Sequence, residues 1–149
     1  MSYAFPAPLP EPDLYPEAYE GVALKRAIAW LIDMVVIFAI SALTIPFTAF
    51  ISIFFFPAVM LLVSFLYRWI TVTGRGATWG MRLVGIEFRH MDGGRFSGQD
   101  ALLHVLGYTV SLAISPLQLI SVLMMAFTPY GQGLTDMVLN TTAINSARV

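Results

Sequence analysis

VALKRAIAWLIDMVVIFAISALT, residues 22–44, decides how the rest of the chain is read. After Lys25 and Arg26 its only charge is Asp33. A helix needs about 20 mostly apolar residues to cross the hydrocarbon core of a bilayer, and this run supplies them. The spacing predicts a transmembrane helix over 22–44, entered at a basic end and carrying one acid inside. Ile45-Pro46-Phe47-Thr48 is the predicted break, because proline lacks the N–H that continues a helix.

Two more apolar regions follow. The run 47–70 has no charge before Arg68 and holds six phenylalanines: Phe47, Phe50, Phe54, Phe55, Phe56 and Phe65. Pro57 predicts a kink, which membrane helices tolerate. Tyr67-Arg68-Trp69 reads as an interfacial anchor. So short a linker joins the first two helices only as an antiparallel hairpin. The region 100–128 carries, beyond Asp100, no charge but the titratable His104. It is long enough to cross once, but Ser115-Pro116 at its middle equally permits a bent or re-entrant hairpin. We favour the bend. The strand-like stretches Ile86–His90 and Asn140–Ile144 find partners only on one side of the membrane, and an unpaired strand leaves backbone donors and acceptors open.

The expected fold class is therefore an all-α integral membrane protein with three hydrophobic segments. Composition agrees. Of 149 residues 58% are hydrophobic and 11% charged, against about 25% charged in soluble domains, so too few charges exist for a water-facing shell. The net charge of −1 gives no general pull toward nucleic acid. With no cysteine, disulfides, thiolate metal sites and Cys nucleophiles are excluded.

Residues 71–99 form a basic loop with Arg75, Arg82, Arg89 and Arg95. Within it Gly85–His90 alternates apolar and polar residues, Asp92-Gly93-Gly94 is a turn signal, and Arg95-Phe96-Ser97 is the expected return strand of a small β-like hairpin. Ser97 is placed to cap the next helix. Residues 1–21 carry five prolines with Glu11, Asp13, Glu17 and Glu20. They are expected to form an extended, disordered tail ahead of a domain over 22–149. Basic residues flank the first two helices at one end only, which predicts a cytoplasmic N-terminus and loop in the inner membrane.

The residues that carry chemistry are few. Arg26 and Asp33 lie seven apart, on one helix face and about 10 Å apart along the axis. An ionised carboxylate inside the membrane costs about 2.5–3.5 kcal/mol, so Asp33 needs a pair, water or a proton. Asp136, in Gly131-Gln132-Gly133-Leu134-Thr135-Asp136, is the next acid a shared cluster would recruit. Arg82 is the candidate counter-charge. His104 is a candidate proton relay. No metal cluster, P-loop, dinucleotide fingerprint or nucleophile elbow is present, which points away from an enzyme and implies no cofactor.

Three blocks resemble the RDD family of bacterial and archaeal membrane proteins, named for one arginine and two aspartates. They are Lys25-Arg26-Ala27-Ile28-Ala29-Trp30-Leu31-Ile32-Asp33; Gly76-Ala77-Thr78-Trp79-Gly80-Met81-Arg82-Leu83-Val84-Gly85-Ile86 with Asp92-Gly93; and Gln132-Gly133-Leu134-Thr135-Asp136 with Thr141-Thr142-Ala143-Ile144. Together they span about residues 20–145. Gly80-Met81-Arg82 stands where the family often has Gly-Lys-Arg, and Thr135 where it often has His. The resemblance implies a compact transmembrane domain, for which transport, including cation/proton exchange, has been suggested.

Two functions compete. One is a small transporter or cation/proton exchanger using Arg26, Asp33, Asp136 and Arg82, working as a homo-oligomer because so few helices leave little room for an alternating-access path. The other is a non-catalytic accessory or assembly subunit of a larger membrane complex, in which the charges lock the bundle. The lipid bilayer is the partner common to both.

Overall fold

A computed structural model describes residues 9–146. Among the described residues there are six α-helices: α1 (Val22–Phe47), α2 (Phe56–Val72), α3 (Trp79–Val84), α4 (Gly98–Ala113), α5 (Ser115–Phe127) and α6 (Leu134–Leu139). Two strands, β1 (Ile86–His90) and β2 (Thr141–Asn145), complete the fold. Of these helices α1 alone is long and apolar enough to cross a membrane without a bend.

The first hairpin differs from expectation at its turn. Pro46 lies in the last turn of α1, where one missing N–H bond is tolerated. The chain breaks instead at Ala49 and Phe50, both at positive φ (50° and 66°). A short 3-10 turn, Ile51–Ile53, leads into α2. This uses up residues expected to be helical, so α2 begins at Phe56, not 47. Pro57 sits in its first turn, where the absent N–H would be unpaired anyway, and it starts the helix without kinking it.

The third apolar region takes the bent form. The path from α4 into α5 is bent by 118° around Ile114. Ser97 caps α4: its hydroxyl accepts from the Asp100 N–H (3.2 Å), and Asp100 Oδ2 accepts from the Ser97 N–H (2.7 Å). The bend carries the chain back so that β2 pairs antiparallel with β1, Ile86 opposite Asn145 and His90 opposite Thr141. The partner of β1 is thus not the expected return strand Arg95–Ser97. That stretch lacks a ladder, and Phe96 instead buries its ring stacked on Phe88 at 5.7 Å.

Residues 9–21 also depart from the expected free tail, while residues 1–8 lie outside the described residues. Leu9 is buried and its N–H donates to Met91 O (3.0 Å). The Tyr19 hydroxyl donates to Pro10 O (2.8 Å), and Asn145 Nδ2 donates to Glu17 O and Glu20 O. Leu9 supplies the apolar anchor that the acidic, proline-rich composition concealed.

Burial is arranged in two zones. The apolar core (Val22, Ala29, Val72, Ala77, Met81, Ile86, Phe88, Phe96, Ala101 and Ala143) gathers at the end of the bundle where α3 and the sheet lie. Along the helices the inward stripes mix polar with apolar residues. On α1 the buried Ala29, Asp33, Ile37 and Ser41 recur every four residues, one face of a helix. Ser121 is the buried residue of α5 and Ser52 that of the 3-10 turn. Outward positions are apolar, Val35 and Ile70 being 70% exposed.

Candidate functional site

Two buried carboxylates organise the interior, and each has its own set of donors. Asp33 is 1% exposed. Its Oδ1 accepts from the Tyr67 hydroxyl (2.6 Å) and the Gly80 N–H (2.9 Å), and its Oδ2 from the Thr78 hydroxyl (2.6 Å). Arg68 Nη1 stands 3.6 Å from Oδ2. These donors come from α2 and the first turn of α3, so one acid ties three helices. Thr78 serves twice, because its hydroxyl oxygen also accepts from the Met81 N–H (3.2 Å) and caps α3.

Asp136, also 1% exposed, lies in the first turn of α6. Its Oδ2 receives Arg26 Nη1 (2.7 Å) and the Gly133 N–H (3.0 Å); its Oδ1 receives His104 Nε2 (2.7 Å) and the Thr141 hydroxyl (3.4 Å). The carboxylate only accepts, so His104 presents a protonated Nε2 to it. The imidazole is held against Phe88, ring centroids 4.3 Å apart, and the Arg26 guanidinium lies 5.3 Å from the Phe88 centroid. Burial by itself raises the Asp136 carboxyl. The Arg26 charge, the His104 hydrogen bond and charge, and the Gly133 N–H outweigh it and hold the group well below the usual carboxylate range.

A pH dependence follows. The folded carboxyl titrates below its unfolded value, so the stabilisation is complete above about pH 5 and is lost as pH falls below about 4. Thermal melting in detergent is expected to show this acid limb in the wild type. Asp136→Asn should show a flatter one; two limbs of equal slope would refute the assignment.

Beside this cluster is a cavity of about 30 Å³, lined by Arg26, His104, Tyr108, Gln118, Ser121 and Thr135 among others. That is room for water. Tyr108 joins the two clusters: it lines the cavity, its ring carries the Arg68 guanidinium at 4.5 Å, and its hydroxyl accepts from Trp30 Nε1 (2.8 Å).

The expected single cluster is therefore two. Arg26 pairs with Asp136, and Asp33 with Arg68. Arg82 is counter-charge to neither; its Nη2 and Nε donate to Thr71 O (2.7 Å) and Ala77 O (3.1 Å), closing the carbonyl end of α2. Arg68, Tyr67 and Thr78 were not among the expected site residues. A signal existed in the spacing of Ser64 and Arg68, one turn apart on an otherwise apolar helix, which marks an inward polar stripe and not only an anchor.

The family model described as "RDD family" matches residues 21–140. No curated protein and no solved structure matches the chain.

Proposed function

The chain belongs to the RDD family, and from that premise we propose that it is a multi-pass inner-membrane protein that exchanges protons against a cation at the Arg26–His104–Asp136 cluster. The N-terminus, the basic loop and the sheet face the cytoplasm. The observation that carries the proposal is a buried imidazole and carboxylate in 2.7 Å contact, with an arginine on the other carboxylate oxygen and a water-sized cavity alongside. Imidazole is the side chain that exchanges protons nearest neutrality, and a fixed arginine keeps its carboxylate partner ionised, so that the carboxylate orients the imidazole by accepting its N–H. Asp33 plays a different part: with three hydrogen bonds and Arg68 it is a lock between helices. Apolar faces outside and buried polar residues inside fit a lipid setting.

Reconstituted liposomes test this. Wild-type protein should release an imposed proton gradient when Na⁺ or K⁺ is added outside. His104→Gln and Asp136→Asn should fall to the baseline of empty liposomes. A wild type at baseline would end the exchange reading and leave the accessory-subunit reading. That alternative draws on the apolar hairpin tip, where Phe47 and Phe54 are 88% and 83% exposed and suit a contact with a neighbouring membrane protein.

A further inference from the structure

Buried polar atoms nearly always have hydrogen-bond partners. Among the described residues three lack one in the protein: Arg68 Nε, Arg68 Nη2 and Ser41 Oγ. Arg68 is 9% exposed and Ser41 is 0%. Neither position is random. Ser41 continues the inward stripe of α1 two turns beyond Asp33, and Arg68 continues that of α2 one turn beyond the buried Ser64. α4 adds His104, Tyr108 and Ser111 at intervals of four and three, with His104 and Ser111 buried. The helices are joined at this level by the Arg68–Tyr108 and Trp30–Tyr108 contacts. At the far end of α1, Thr44 donates to Ser52 (3.3 Å), whose side chain is again turned inward.

We propose that the seam between α1, α2 and α4 holds a chain of ordered water, leading from the Asp136 cavity past Tyr108 and Arg68 to Ser41 and the Thr44–Ser52 end. Water meets the chemistry of the seam. It accepts from the two free guanidinium N–H groups, and it both donates to and accepts from serine hydroxyls. A buried polar group left without a partner carries a large desolvation cost, and a bridging water removes it. The meaning of the seam rests on the exchange reading, since such a chain passes protons between the cytoplasmic cluster and the opposite face. Each water takes one proton and yields another, so no other reactant is consumed. Arg68 is here a positioning residue: its fixed charge holds water in the seam.

Radiolytic hydroxyl-radical footprinting of the full chain in detergent tests the water directly, because radicals formed in bound water modify the side chain beside it. Ile37 is the probe: it lies between Asp33 and Ser41 with 0% exposure. Corrected for intrinsic reactivity, its modification is expected to exceed that of the outward Val35 several-fold. In Ser41→Val, which keeps the helix face but removes the hydroxyl, the excess should disappear. Equal modification of Ile37 and Val35 in wild type would overturn the proposal, as would an excess unchanged in Ser41→Val. Liposome flux separates the two readings. Flux with an unmodified Ile37 removes the seam and keeps the exchanger, whereas modification without flux removes the exchanger and keeps the seam.

Discussion

Replacing Asp136 with alanine is expected to cost about 3–5 kcal/mol of stability, because it leaves the Arg26 side chain, only 11% exposed, without its carboxylate. Arg26→Ala should be milder, since His104, Gly133 and Thr141 still serve Asp136. The double variant should recover part of the loss, with a coupling of about 1–3 kcal/mol between the two positions. The same cycle on Arg26 and Asp33 should be nearly additive, whereas Asp33 and Arg68 should couple. Thermal unfolding in mild detergent reads all three cycles. Strong coupling between Arg26 and Asp33, with none between Arg26 and Asp136, would refute the division of the charges into two clusters.

Gly80→Ala is expected to be comparably damaging although it removes no charge. A Cβ at Gly80 would overlap the Ala29 carbonyl oxygen and come within 2.8 Å of Asp33 Oδ1. Both obstacles belong to α1, and one is backbone, so no side-chain rotation relieves them. The helices would have to part, and the Gly80 N–H would leave Asp33. Overpacking of this kind costs about 1–3 kcal/mol, and the lost hydrogen bond to a buried charge adds about 1.5–3 kcal/mol. Gly85→Ala is the matched control: nothing lies within 4 Å of its Cβ position, and only its φ of +74° is strained. It should fall well short of the Gly80 effect. Equal melting of the two variants would contradict the close α1–α3 approach.

The long helices α1, α4 and α5 were legible because their signals are local, whereas the short α3 and α6 were not expected and the start of α2 was placed nine residues early. The apolar run after Arg26, the Ser97 cap and the Ser115-Pro116 bend each act within a few residues. The β1–β2 pairing was legible from a global argument, since two strand-like stretches need each other. The return strand at Arg95–Ser97 failed for the opposite reason. The Asp92-Gly93 turn is real in reversing the chain, but a turn does not choose the partner, and the buried Phe96 ring competes for that backbone. Arg26 and Asp136 were both recognised and expected near each other, but in one shared cluster with Asp33, which lies on the same face of α1 as Arg26. The return of α5 and α6 was legible from the Ser115-Pro116 bend, but which arginine each acid takes is decided by side-chain packing that spacing does not record. Arg82 illustrates the same limit, because a basic residue after an apolar helix reads alike whether it faces lipid headgroups or closes backbone carbonyls. Arg68 was read as a headgroup anchor because Tyr67 and Trp69 flank it. Its burial depends on α4 packing over it.

The central claim is that the bent α4–α5 pair returns the chain to the end it left, placing Asp136 beside Arg26 on what we propose is the cytoplasmic face. Since the chain has no cysteine, Ser146→Cys tests it without background, with Thr48→Cys as the reference for the opposite face. An impermeant thiol reagent applied to spheroplasts should label Cys at 48 and leave Cys at 146 unlabelled until the membrane is opened. Labelling at 146 in intact spheroplasts would mean a single straight crossing after residue 98, and would contradict both the β1–β2 pairing and the Arg26–Asp136 contact.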